Sequence, residues 1–206
     1  MQSLVHVMPP VALPAFTGLQ LYMHKATGRT LEEHAPAQYV DTIATMLRDA
    51  NIDQDLAFWI TIDERYLVPG EQHRRGGVHI DGNYIFSWGG GGSSGWLNGT
   101  PGRVLTPEQH RLQYQSTTGG TLLVSNYHAS VAWIGEVEGI AGQGGCCAHL
   151  REQFEQLPRI DLSGNNHVML MNSTCIHDSL PVREPVDRQL LRITLHDSYV
   201  FPTQVA

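Results

Sequence analysis

From residue 56 to residue 197 the chain is written in short β-type runs separated by turn clusters, and this punctuation constrains the fold more than any other feature. Val, Ile, Leu, Thr, Tyr and Trp concentrate over 56–62, 77–88, 120–133, 166–177 and 189–197. Such residues suit a pleated, half-buried surface, whereas the Gly, Asn, Asp and Pro between the runs suit turns. The last run has the clearest two-residue period. Arg188, Leu190, Arg192 and Thr194 fall on one strand face, and Leu191, Ile193 and Leu195 on the other. Asp161-Leu-Ser-Gly-Asn-Asn166 is a turn cluster leading into the 166–177 run.

Helical signal is confined to two places. Ala35-Pro36 puts a proline at a helix start, and Val40, Ile43, Ala44 and Leu47 repeat at helical spacing up to Asn51. This predicts a helix within 31–51 packed on the outside of a sheet, and a second, short helix is expected over 148–157. Residues 1–30, apolar at first but broken by Pro9, Pro10 and Pro14, are expected to form an extended N-terminal arm. With 206 residues and 41% hydrophobic content the chain can bury a substantial core. The expectation is one mostly β domain over 1–206, with one or two flanking helices and a core over 56–200.

Charge and composition exclude some partners. The formal charge is −7 and the longest basic cluster is Arg74-Arg75, which argues against a general nucleic-acid binder, since such affinity rests on neutralising phosphates. No apolar run approaches the roughly 20 residues a membrane span needs. No basic segment followed by an apolar stretch opens the chain, so neither a membrane anchor nor a leader is expected. Three cysteines, two of them adjacent at Cys146-Cys147, make no disulfide framework, and a reducing cytoplasm is the expected location.

Two segments carry chemistry. His79 and Asp81 sit two apart in Gly-Gly-Val-His-Ile-Asp-Gly, and His177 lies in Cys-Ile-His-Asp-Ser-Leu-Pro-Val. A strand turns alternate side chains to the same side, so His-x-Asp aims one imidazole and one carboxylate at a single point. A second histidine from a distant strand completes two nitrogens and one oxygen on one side of a metal. That set is the facial triad of non-haem Fe(II) oxygenases, which leaves positions open for a co-substrate and dioxygen. Among eleven histidines a lone His-x-Asp is more often a surface pair; the ordered combination is what carries the reading.

With these residues the chain resembles the Fe(II)/2-oxoglutarate-dependent dioxygenases, whose pattern is His-x-Asp, a long interval, His, and a basic residue some way beyond. The interval from Asp81 to His177 is 96 residues (177 − 81), and Arg188 and Arg192 follow His177 by 11 and 15. His177-x-x-x-Pro181-Val182 is similar to prolyl-hydroxylase-like members, and Arg188-Gln-Leu-Leu-Arg192-Ile-Thr194 to the taurine-dioxygenase-like branch. The resemblance covers about residues 58 to 200. It implies a double-stranded β-helix, the cupin-like jelly roll that the run of strands also suits. It further implies Fe(II) and 2-oxoglutarate as cofactors, and hydroxylation of an amino acid, peptide or other small molecule with release of succinate and CO2. Related halogenases replace the carboxylate ligand by a small residue, and Asp81 argues against that outcome. Desaturation and ring formation stay open.

The arginines stand on chemistry as well. 2-Oxoglutarate carries two carboxylates, and a planar guanidinium pairs with a carboxylate through two parallel hydrogen bonds. The one lysine, Lys25, lies far upstream, so a basic anchor after His177 is an arginine. Arg192 is the favoured partner of the distal carboxylate, with Thr194 as a hydroxyl partner and Arg188 for the metal-binding end or for substrate. By spacing alone Arg188 could take the same role as Arg192.

Asn83, Tyr84 and Trp88, directly after the His-x-Asp, are candidate substrate contacts. The glycine-rich stretch from Trp88 to Trp96 lacks the Lys-Ser/Thr ending of a phosphate loop and reads as a connection, or as a lid over substrate. Cys175 shares a face with His177 and reads as a small wall residue, because a thiolate ligand would fill a position oxygen chemistry needs. His73, His128 and His167 lie in the active region by sequence, while His6, His24, His34, His110, His149 and His196 read as surface or core. Two rival classes remain: a metal-dependent cupin that uses no 2-oxoglutarate, as a direct-oxygen dioxygenase or an isomerase, and a non-enzymatic jelly-roll binding module. Succinate formation separates the first, and absence of tight Fe(II) or Ni(II) binding favours the second.

Overall fold

The computed structural model describes residues 1–81, 117–162 and 164–203. Its described strands are β1 (Gln2–Ser3), β2 (Val5–Pro10), β3 (Gln20–Ala26), β4 (Phe58–Leu67), β5 (Thr118–Ser125), β6 (Ser130–Trp133), β7 (Gly135–Glu136), β8 (Arg159–Asp161), β9 (His167–Met171), β10 (Ile176–Ser179) and β11 (Val186–Val200). The α-helices of the described residues are α1 (Leu31–His34), α2 (Val40–Asp49) and α3 (Arg151–Phe154).

β11 organises the larger sheet. It pairs antiparallel with β4 on one side and β5 on the other, in a six-stranded sheet of order β2-β9-β5-β11-β4-β3. Its alternation is realised as the sequence predicts. Leu191, Ile193 and Leu195 enter an apolar core with Ile43, Met46 and Leu47 of α2, while Leu190 faces the opposite side with Leu123, Met169 and Met171. That second side receives Ala132 and Leu162, and so meets a three-stranded sheet of order β10-β6-β8. The far face of the small sheet packs Val131, Trp133 and Ile176 against Leu150 and Phe154 of the 137–157 segment. Each fully buried Leu or Ile in these layers is worth about 1.5–3 kcal/mol of transfer free energy. The molecule is thus mostly β and antiparallel, with α2 outside the large sheet, and no helix of the described residues is long and apolar enough to cross a membrane.

Several sequence expectations change in detail. The single run over 120–133 is two strands in different sheets, β5 and β6, joined by a corner at 126–129. There Asn126 donates its amide to Asp187 O (2.9 Å) and accepts from Gln189 N (2.9 Å), so the corner is tied to β11. The run over 166–177 likewise divides into β9 and β10. At that break Asn172 accepts from Leu4 N (3.0 Å) and donates to Gln2 O (2.9 Å), while Thr174 donates to Gln2 O (2.6 Å). The arm over 1–30 is extended but paired: β2 and β3 are the two edges of the large sheet, and β1 pairs with β7. The helix expected over 31–51 is two pieces, and the buried stripe of the longer is Thr42, Ile43, Met46 and Leu47, with Ala44 exposed. The 148–157 helix is reduced to a 3₁₀ turn, Ala148–Leu150, and α3.

Candidate metal centre

The triad is assembled by backbone pairing. His79 N donates to His177 O and His177 N to His79 O, both at 2.9 Å, the close two-bond pair of an antiparallel ladder. On its other side the 78–80 segment is held by Ile80 N to Gly145 O and Cys147 N to Val78 O, both 2.9 Å. The strand expected over 77–88 is, in its described part, this short extended piece, with His79 bridging to His177 and to Cys146. Alternation does the rest. Val78 and Ile80 enter the core behind the small sheet, and His79 and Asp81 turn into the cleft between the sheets.

His79, Asp81 and His177 offer ligand atoms that all lie within 4.8 Å of one another. Asp81 Oδ1 is 3.9 Å from His177 Nε2, and the two imidazole centroids are 4.4 Å apart. His79 Nδ1 lies 2.6 Å from Gly77 O, and His177 Nδ1 lies 2.9 Å from Cys175 O. A carbonyl only accepts, so each Nδ1 donates and Nε2 is the nitrogen each ring offers to a metal. Burial, then the neighbouring His177, pushes the His79 pKa down to about 4, which keeps that ring neutral. Burial opposes ionisation of Asp81, but Arg192, His177 and His79 outweigh it and hold its pKa below the usual carboxylate range. Two imidazole nitrogens and one carboxylate are a donor set that fits a divalent cation with open positions.

The rest of the cleft separates the two arginines. Arg192 Nη1 is 3.5 Å from Asp81 Oδ2, at the metal end. Arg188 is fully buried further along β11, donating to Ser125 Oγ and Ser130 Oγ, both at 3.3 Å. Ser130 pairs across β6 and β10 with Ser179, which shares a strand face with His177. Ser130 and Ser179 line the same cleft as the triad, walled by Leu123, Leu162, Met171 and Leu190. Among the described residues, Arg188 Nη1, Arg192 Nε and Ser179 Oγ are buried with no hydrogen-bond partner, and of the two arginines Arg192 lines the cleft. Thr194, expected as the anchor's hydroxyl partner, lies beyond Arg192 on the side away from Arg188 and does not line the cleft. Serine hydroxyls occupy that place instead.

Cys175, expected as a wall residue, does not line the cleft but is buried in the core with Met169 and Leu190, where burial chiefly pushes its thiol pKa up to about 12. His73 is buried with Nε2 3.1 Å from Asp63 Oδ1, while His128 is exposed and His167 contacts Met8 O (3.0 Å), neither of them in the cleft. Asn83, Tyr84, Trp88, Trp96 and His110 lie outside the described residues. Sequence reasoning did not single out Ser130, Ser179, Arg74 and Arg75 as cleft residues. For the serines a signal existed, since Ser179 repeats the two-residue step from His177.

No family model matches the sequence, and a search of curated proteins finds no match.

Proposed function

We propose that this chain is an Fe(II)- and 2-oxoglutarate-dependent oxygenase on a double-stranded β-helix, acting on a small molecule or peptide. One observation carries the reading: three ligand atoms of the right kind share a cleft with Arg192 and Ser179, each with a buried polar atom that has no partner among the described residues. His79, Asp81 and His177 would hold the iron, which when bound supplies the dioxygen chemistry that couples oxidation of substrate to conversion of 2-oxoglutarate to succinate and CO2. Arg192, which lines the cleft, and Arg188, buried beside Ser130, each have a nitrogen unpartnered among the described residues and are the two candidates for the distal carboxylate; we put Arg188 there, because Asp81 already faces Arg192. Arg192, beside Asp81, keeps that carboxylate ionised and orients it toward the metal. Leu123, Leu162, Met171 and Leu190 exclude water along the chain of the co-substrate. The cytoplasm, as a reducing compartment, fits both a ferrous enzyme and three free cysteines.

The test is metal and co-substrate binding followed by product analysis. Calorimetry with Ni(II) is expected to give one ion per chain, followed by 2-oxoglutarate binding that depends on the metal. The Fe(II)-loaded chain is expected to release succinate. His79→Ala and His177→Ala each remove one of three protein bonds and are expected to abolish tight metal binding and turnover. Tight metal binding with oxygen consumption but no succinate would identify the direct-oxygen cupin instead, and no metal binding would leave a binding module.

A further inference from the structure

The cleft is cationic beyond what the co-substrate needs. Among the described residues it is lined by Arg74, Arg75 and Arg192 against a single carboxylate, Asp81, in a chain whose formal charge is −7. Arg192 is matched by Asp81 at 3.5 Å, which leaves Arg74 and Arg75. Arg74 donates to the buried Asp63 (3.1 Å), but Arg65 already takes both oxygens of that carboxylate (2.7 and 2.9 Å). Two guanidiniums on one carboxylate leave one positive charge over. Arg74 is also fixed in direction, its guanidinium 6.0 Å above the Tyr22 ring, while its side chain keeps 24% of its surface exposed. Arg75 is exposed, and its Nη2 donates to Gly144 O (2.9 Å), a neutral acceptor that orients the group, and no carboxylate of the described residues pairs with it.

Both residues lie just upstream of His79 on the segment that carries it, and both line the cleft, Arg75 exposed and Arg74 partly so. Guanidinium forks match the oxygens of carboxylates, sulfonates and phosphates, and like-signed groups around a cleft raise the local concentration of the opposite ion. We infer that the substrate is a small organic anion whose acidic group is received by Arg74 and Arg75 at the mouth of the cleft. The inference rests on the oxygenase reading above and adds the chemical class of its substrate. A neutral or cationic substrate would leave two adjacent guanidiniums facing the entrance with nothing to bind.

The experiment uses the Ni(II)-loaded full chain with saturating 2-oxoglutarate, so that the co-substrate's own subsite is filled. It is titrated calorimetrically with a series of small aliphatic carboxylates, sulfonates and phosphate monoesters, each matched to its amide or alcohol. At least one acid is expected to bind ten-fold or more tightly than its neutral match, with affinity falling as salt rises. Arg75→Gln, an exposed position, is expected to weaken that binding about ten-fold, Arg75→Lys less, and Arg74→Gln at least as much as Arg75→Gln. Arg159→Gln, an exposed charge on β8, is the control. The proposal is overturned if no acid binds, if the neutral matches bind equally well, or if both glutamine variants keep wild-type affinity. Failure of 2-oxoglutarate to bind is a separate result against the co-substrate, and the same titration without it then reads the arginine pair alone.

Discussion

Arg188 and Arg192 are four residues apart on one strand face, yet their charges are surrounded differently. Arg192 has Asp81 beside it, while the contacts of Arg188 are hydroxyls, and burial pushes the Arg188 pKa down to about 10 against the opposing pull of Asp63. A buried guanidinium short of acceptors gains most from an incoming carboxylate. Breaking a buried charged pair by removing one partner typically costs about 3–5 kcal/mol, a hundred-fold or more in affinity. Arg188→Ala is therefore expected to raise the dissociation constant for 2-oxoglutarate by about that factor while one metal still binds, and Arg188→Lys to recover part of it. Arg192→Ala is expected to affect turnover more than 2-oxoglutarate affinity. Calorimetry on the Ni(II)-loaded variants decides, and a larger loss of affinity at Arg192 would return the anchor to that residue. At this scale His79 and Asp81 were legible as a pair because strand alternation is local, whereas His177, 96 residues further on, entered through the ordered pattern of the resemblance. Ser130 was not, because its place beside Ser179 and Arg188 depends on the register of three strands distant in sequence.

At the scale of elements the decisive pieces are short and irregular. The 78–81 segment lies against 145–147, and Gly145 has φ +77 with the Ile80 carbonyl where a Cβ would stand. Gly145→Ala therefore meets both a disfavoured backbone region and a collision, at a cost of about 1–3 kcal/mol. It is expected to loosen His79 and Asp81, seen as weaker Ni(II) binding with a smaller loss at a distant site such as α2, followed by hydrogen exchange. The corner before His177 depends on Asn172, whose amide satisfies Leu4 N and Gln2 O. Asn172→Ala leaves Leu4 N without its acceptor and Gln2 O with Thr174 as its remaining donor, and is expected to lower stability by about 1–3 kcal/mol, read from denaturant unfolding. These corners explain why two sequence runs each read as one strand. The β-type pattern continues through Asn172-Ser-Thr and Asn126-Tyr-His, and only the change of ladder partner marks the break. The α2 stripe shifted for a related reason: Tyr39 and Met46 fill the core through contacts with β4 and the rest of the large sheet, so Ala44 is left outside.

Across the whole molecule, acid stability is set by buried charges that tie the layers together. Glu64 of β4 accepts from Tyr39 Oη (2.6 Å), Thr17 N (2.7 Å) and Leu19 N (2.9 Å), joining the sheet to the segments that flank α2. Burial alone would raise its pKa, but those donors and Gln189 outweigh it and bring it from an ordinary 4.5 down to about 2. A carboxylate whose pKa is lower when folded stabilises fully above the unfolded value and ceases to do so as pH falls through the folded one. This contribution is lost between about pH 4.5 and about pH 2. His73 acts earlier and in the same direction. Burial lowers its pKa below an ordinary 6.5, against the pull of Asp63, so the unfolded chain takes up its proton first and stability begins to fall below about pH 6.5. The full chain is therefore expected to lose stability in two windows on acidification, measured as denaturant unfolding free energy against pH. Glu64→Gln should be less stable at neutral pH yet show a flatter profile below pH 4.5, because the group that binds the proton on unfolding is gone. His73→Gln should flatten the profile just below pH 6.5 and leave the lower window in place. A wild-type profile level from pH 7 to pH 5 would remove His73 from this account, and an unchanged slope in Glu64→Gln would move the lower window to another carboxylate, with Asp63 the next to test.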